Sequence, residues 1–94
     1  MLTVVARAKV KPENQAKFVE LAQEMVAKTR AEEGNISYTL LEGVGDDLMT
    51  FLEQWQDKKA LDLHMRTEHF QRIVKLLGDL QDGPAQMDLY TVKI

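Results

Sequence analysis

The chain has 94 residues, with 12 Lys and Arg against 15 Asp and Glu, and a formal net charge of -3. This length favours one domain over residues 1–94, and a hydrophobic fraction of 45% is typical of a globular protein. The absence of cysteine excludes disulfides and thiolate chemistry. The charge gives no basic footprint for nucleic acid, and the apolar runs are too short for a membrane span or a secretory leader. We therefore expect a cytoplasmic protein.

The first third of the chain predicts a strand followed by a long helix. Apolar and polar residues alternate from Leu2 to Val10, which is typical of a strand with one buried face. Pro12 breaks this pattern, and apolar residues then recur at helical spacing from Phe18 to Thr29. Gly34 is the expected end of the helix, because glycine adopts the left-handed conformation that follows a last turn.

Two further strands are predicted in the middle of the chain. They run from about Asn35 to Glu42 and from about Leu48 to Gln56, and the Gly- and Asp-rich segment between them predicts a hairpin. One face of the first of these strands is expected to carry Ile36, Tyr38 and Leu40. One face of the second is expected to carry Met49, Phe51, Glu53 and Trp55.

The last third predicts two short helices and a final strand. Asp57 and Thr67 are the expected N-caps, the second helix should end at Gly83-Pro84, and the strand should run from about Gln86 to Lys93. The order β-α-β-β-α-β, with its second helical segment broken in two, is the ferredoxin-like order. We therefore predict an α+β fold, an antiparallel sheet with helices on one face.

A homodimer is expected from the two faces of the predicted strands. Tyr38 and Trp55 lie on one face, while Leu41 and Leu52 lie on the other. Because helices cover only one sheet face in this order, a second copy of the chain is needed to cover the other.

A candidate site lies where the third strand meets the next helix. Glu53 and Trp55 project side by side from the strand, and Leu61 and His64 share the helix face that should pack on it. One interpretation is an apolar cleft for a flat aromatic ligand, with His64 half-buried at its mouth as a proton acceptor. The alternative is structural: Trp55 is a core aromatic, Glu53 a paired edge carboxylate and His64 an imidazole that only fills the core.

The sequence gives less support to metal binding, hydrolysis or phosphate binding. His64 and His69 are five residues apart, which places them on different helical faces and does not meet the i,i+4 spacing of a helical two-histidine site. Since no cysteine and no obvious third ligand is present, no metal site is predicted. Ser37 has no local base for a hydrolase, and no glycine-rich phosphate cradle is present. Arg7 is expected on the polar face of the first strand as a surface group, and the sequence assigns no role to His69.

The chain resembles the antibiotic biosynthesis monooxygenase (ABM) domain family. The run from Arg30 to Tyr38 is similar to the family's R-x-E-x-G-x-x-x-Y signature. The resemblance continues, in the same order and spacing, through Val10-Lys11-Pro12, Glu53-Gln54-Trp55, Asp57, Ala60-Leu61, His64, His69-Phe70 and Gly83-Pro84.

This resemblance implies a dimeric α+β barrel and a monooxygenase that needs no cofactor. The implied reactants are a small aromatic substrate, of quinol, phenol or polyketide type, and molecular oxygen. His64 is the implied catalytic residue. The implied substrate-binding residues are Trp55, Glu53, Phe51, Tyr38, Leu61 and Phe70.

Three alternatives stay open. The first is an isomerase acting on a small carbonyl compound, and the second is a non-catalytic ligand-binding or stress-response module. The third is a haem-degrading relative, for which the family pattern includes an Asn that the first strand, Leu2 to Val10, does not contain.

Overall fold

The computed structural model describes residues 1–94 and shows the predicted α+β architecture. The antiparallel sheet has the strand order β2-β3-β1-β4. No helix is long and apolar enough to cross a membrane. The elements are β1 (Leu2–Lys9), α1 (Pro12–Arg30), β2 (Asn35–Glu42), β3 (Leu48–Trp55), α2 (Lys58–Met65), α3 (Glu68–Gly78) and β4 (Gln86–Thr91).

The two predicted N-caps are confirmed. The Asp57 carboxylate accepts a hydrogen bond from the Ala60 N–H at 2.9 Å, and the Thr67 hydroxyl accepts one from the Phe70 N–H at 3.2 Å. Each bond satisfies a backbone donor that a first helical turn leaves without an intrahelical partner. These caps fix the start of α2 and of α3, and the break between the two helices changes the direction of the chain.

The predicted end of α3 was wrong. The helix ends at Gly78 and does not continue to Gly83-Pro84. The reason is a long-range contact, because Gln81 forms a bridge with Val10 and the Asp82 N–H donates to the Lys9 carbonyl at 2.7 Å. Pairing with the end of β1 takes the backbone out of the helix before the glycine is reached.

The side-chain alternation of the strands is confirmed on β3 and partly on β2. Met49, Glu53 and Trp55 are buried on the helix-covered face, as predicted. Ile36 does not share the buried face with Tyr38, since it lies at a register shift between β2 and β3 and is 53% exposed. A β-bulge leaves its extra residue unpaired and breaks the period-2 alternation there.

The predicted end of α1 was wrong, because the helix ends at Arg30 and not at Gly34. Gly34 instead docks the turn after α1 against the start of α2. Its φ of +85° lies in the left-handed region, and its carbonyl accepts a hydrogen bond from the Gln56 N–H at 2.8 Å. A Cβ atom at this position would lie 2.6 Å from the Ala60 Cβ. The close approach of the two segments therefore requires glycine, and it places the residues just before Gly34 against α2.

We predict that Gly34→Ala destabilises the protein by about 2–4 kcal/mol, because left-handed strain and a steric clash add. The matched control is Gly45→Ala, which has a similar φ of +81° but no atom within 4 Å of the added Cβ. It should cost only about 1 kcal/mol. Urea denaturation of both variants measures the difference, and equal losses would show that the approach to Ala60 imposes no constraint.

Candidate active site

The predicted site residues form one aromatic cluster between the sheet and the helices. The His64 ring lies 4.7 Å from the Trp55 ring, 4.8 Å from the Phe70 ring and 5.6 Å from the Tyr38 ring, measured between centroids. Phe51 extends the cluster, 5.4 Å from Tyr38. Rings at these separations, tilted against each other, are in favourable aromatic contact. Residues from β2, β3, α2 and α3 thus meet around one imidazole.

Glu53 is a buried carboxyl group within this cluster. The Trp55 Nε1–H donates to its Oε1 at 2.9 Å, and the residue is only 5% exposed. Burial raises the pKa of Glu53 to about 7, although the hydrogen bond from Trp55 acts in the opposite direction. Near neutral pH this carboxyl can therefore either hold or release a proton.

His64 is buried, so its expected position at the mouth of a cleft was wrong. The residue is 1% exposed, because Trp55 and Phe70 pack against its ring and Leu61 lies one helical turn before it. The polar neighbours in the sequence lie on the other faces of α2 and do not open the site. Burial is the largest influence on the ring and lowers the pKa of His64, which favours the neutral imidazole at neutral pH.

Glu32 is the site residue that the sequence reasoning missed. Its Oε2 lies 2.8 Å from His64 Nδ1 and 2.8 Å from His69 Nε2. The expectation that the two histidines lie apart was wrong. It followed from their five-residue spacing on helical faces, but α2 ends at Met65 and His69 belongs to the next helix. The available signal was the position of Glu32 inside the run that resembles the ABM signature.

This arrangement defines the chemical character of each nitrogen of His64. An ionised carboxylate only accepts hydrogen bonds, so when Glu32 is ionised the tautomer that satisfies this contact carries its proton on His64 Nδ1. His64 Nε2 then presents a bare lone pair, and this atom is buried without a hydrogen-bond partner. The result is a neutral imidazole whose free acceptor lies among aromatic rings.

Glu32, His64 and His69 are also the residues that could hold a metal ion. Their donor atoms lie within 4.8 Å of one another. Two imidazoles and one carboxylate form a common ligand set for transition metals.

The predicted residues pack against each other and do not line an open cleft. A cavity of about 460 Å³ lies instead between α1 and the edge of the sheet, with Ala22, Val26, Leu40 and Met49 among its lining residues. None of the predicted site residues lines it. Arg7 is also outside the cluster, as expected, and is ion-paired with Asp88 at 3.8 Å on the surface.

We predict that Glu53→Gln stabilises the protein at alkaline pH. The folded-state pKa of Glu53 is raised from 4.5 to about 7, so its contribution to folding is complete below pH 4.5 and is lost as the pH rises through 7. Glutamine can still accept from Trp55 but cannot ionise. The variant should therefore gain up to about 3 kcal/mol over the wild type above pH 8 or so, and almost nothing near pH 4 or so.

Urea denaturation across this pH range tests the prediction. The exposed Glu33→Gln variant is the control and should follow the wild-type curve. If Glu53→Gln also runs parallel to the wild type, the carboxyl does not titrate as its burial requires.

Comparison with known proteins agrees with the geometry. The family model described as "Antibiotic biosynthesis monooxygenase" matches residues 1–76. A Bacillus subtilis protein named "Putative monooxygenase YcnE" is 41% identical over 85 residues, which cover 89% of this chain and 90% of that protein. A crystal structure described as an antibiotic biosynthesis monooxygenase matches with a TM-score of 0.94 and 36% identity, and covers 100% of both chains. A conserved protein from Methanosarcina mazei matches with a TM-score of 0.94 and 34% identity, over 98% of this chain and 92% of that chain. The chain therefore belongs to the antibiotic biosynthesis monooxygenase family.

Proposed function

We propose that the protein is a cofactor-independent monooxygenase that oxidises a small aromatic substrate of the phenol or quinol type. The observation that carries this proposal is the unpartnered Nε2 of His64, buried among the rings of Trp55, Tyr38 and Phe70. A flat, electron-rich ring that displaces one ring of this packed cluster would contact the remaining aromatic side chains, and its hydroxyl group would donate to that nitrogen.

His64 acts as the general base in the proposed reaction. The substrate hydroxyl transfers its proton to Nε2, and Glu32 stabilises the resulting imidazolium through Nδ1. The phenolate then transfers electron density to oxygen, a ring C–O bond forms, and the hydroperoxide loses water. A phenol with a para hydrogen and one O₂ give a para-quinone and one water, so that atoms and electrons balance without an external reductant.

The remaining predicted residues shape the pocket in this proposal. Trp55, Tyr38 and Phe51 provide ring faces, and Leu61 closes the base of the pocket. Phe70 is partly buried and packs against the His64 ring, and in this proposal its displacement would admit the substrate. Exclusion of water from the pocket strengthens the hydrogen bond to the phenolate and protects the carbanion-like intermediate.

An isomerase acting on a small carbonyl compound is the second candidate. It is favoured by the environment of Glu53, whose raised pKa allows it to donate a proton while His64 accepts one. Oxygen consumption separates the two candidates, since the isomerase would convert its substrate without consuming oxygen.

We predict that His64→Asn lowers turnover by about 100-fold or more, because asparagine removes the base. Its side-chain amide can occupy the Nδ1 position and still donate to Glu32, which limits the loss of folding stability. The measurement is oxygen uptake with a panel of reduced quinones, phenols and anthrones in the presence of a chelator. Asp62→Asn, on the solvent side of the same helix, is the control and should keep wild-type turnover.

The melting temperature of each variant is measured together with its rate of oxygen uptake. A folded His64→Asn variant with full activity would refute the catalytic role of His64. Oxygen uptake by no member of the panel, together with saturable substrate binding, would instead favour a non-catalytic binding module.

We also propose a homodimer, formed through the sheet face opposite the helices. This face carries the apolar side chains of Leu41 and Leu52, which are 43% and 38% exposed in the single chain, together with Tyr90, which is 51% exposed. Val5 and Leu48 extend the same surface. A second copy that packs its own sheet on this face would bury these apolar side chains.

We predict that Leu52→Glu dissociates the dimer, since it places a charge at the centre of the open sheet face. Light scattering at micromolar concentration should give twice the chain mass for the wild type and the single-chain mass for the variant. Leu63→Glu is the matched control, because Leu63 is 52% exposed on a helix and should leave the dimer intact. A wild-type protein with the mass of one chain would contradict the proposal.

A further inference from the structure

We propose that Glu32, His64 and His69 also form an inhibitory binding site for a divalent transition-metal ion of the Zn²⁺ class. The ion would not take part in turnover. It would compete with the protons that now lie between the carboxylate and the two imidazoles. The metal site stands on the geometry of these three residues, whereas its inhibitory effect rests on the proposed role of His64 as the base.

The positions of the three donor atoms support the metal site. Glu32 Oε2 lies 2.8 Å from both His64 Nδ1 and His69 Nε2, and no two of these atoms are more than 4.8 Å apart. Zinc binds imidazole nitrogen and carboxylate oxygen at roughly 2.0–2.2 Å, which places tetrahedral ligands roughly 3.3 Å apart. Side-chain shifts of about an ångström would therefore convert the hydrogen-bonded cluster into a coordination site.

The burial of the three residues permits this shift. His64 is fixed by its packing and supplies a rigid nitrogen. The side chains of Glu32 and His69 are each 13% exposed, so the cluster reaches solvent on their side. An ion could reach the cluster from that side and keep water as its fourth ligand, as in zinc sites with three protein ligands.

Metal binding at Nδ1 would change the hydrogen-bonding role of the other His64 nitrogen, Nε2. A metal on Nδ1 displaces the proton from that nitrogen, and a neutral imidazole must then carry its proton on Nε2. Nε2 would change from an acceptor into a donor and could no longer take a proton from the substrate hydroxyl. Occupancy of the site therefore blocks the base without any contact between the ion and the substrate.

Direct binding measurements test the site independently of any activity. Tag-free protein, treated with a chelator and then dialysed, is titrated with ZnCl₂ by calorimetry and with Co²⁺ by visible absorption. The chain has only two histidines, so a cobalt spectrum with nitrogen ligation reports on this cluster. We expect one ion per chain.

Three variants locate the bound ion. His69→Gln keeps a hydrogen-bond donor near the Nε2 position but removes the imidazole, and Glu32→Gln removes the charged ligand. Each should weaken Zn²⁺ binding by at least about tenfold. Glu68→Gln is the matched control, since Glu68 is exposed, pairs with Arg72, and should leave Zn²⁺ binding unchanged. The proposal is overturned if the wild type binds no ion, or if His69→Gln binds as tightly as the wild type.

Oxygen uptake with the best phenol or quinol substrate separates the metal site from the proposed function. Zn²⁺ should inhibit the wild type over the concentration range in which calorimetry shows binding, and a chelator should restore the rate. Zn²⁺ that binds without inhibiting would overturn the proposed inhibitory effect and leave a metal site at Glu32 and His69 established. Inhibition that persists in His69→Gln would overturn the inhibitory mechanism.

Discussion

One carboxylate oxygen organises the site, because Glu32 Oε2 is shared by a histidine from α2 and a histidine from α3. Glu32 can reach both rings because the turn after α1 is held against the start of α2. That turn is fixed by the hydrogen bond between the Gly34 carbonyl and the Gln56 N–H, and by the close approach of Gly34 to Ala60. The backbone geometry of a glycine thus contributes to the placement of the Glu32 carboxylate beside His64 Nδ1. The free acceptor on the other nitrogen follows from it.

Burial shifts the pKa values of Glu53 and His64, two titratable groups of the cluster, in opposite directions. It raises the pKa of the Glu53 carboxyl to about 7 and lowers the pKa of the His64 imidazole. Both shifts favour the uncharged form, since each group would otherwise place a charge in an apolar region. A neutral acid and a neutral base among aromatic rings can serve more than one proton-transfer reaction, which is consistent with the variety of functions found on a single fold.

The sequence predicts the features that depend on local contacts. The alternation of β3 and the caps at Asp57 and Thr67 are determined within a few residues, and the structure confirms them. The bulge at Ile36 and the early end of α3 depend on pairing with distant segments, and neither leaves a periodic signal. His64 contacts Glu32, which lies 32 positions away in the chain. Neither this contact nor the burial of His64 is determined by neighbouring residues in the sequence. The helical spacing predicts which side of α2 carries His64. How deeply the ring is buried depends on the residues of other elements that pack over it.

The unpartnered nitrogen of His64 is also the strongest argument against a purely structural role for this residue. A buried acceptor without a hydrogen bond costs about 1–3 kcal/mol, and a leucine of similar volume at this position would avoid that cost. In the proposed complex the cost would be recovered when a ligand hydroxyl donates to Nε2, so the empty acceptor would favour a hydroxylated ring over an aromatic hydrocarbon. The packed cluster would oppose such binding, because its rings are in contact and must separate to admit a ligand. In the proposed function, selectivity for a hydroxyl group and exclusion of water would therefore have the same origin, the close packing around one imidazole.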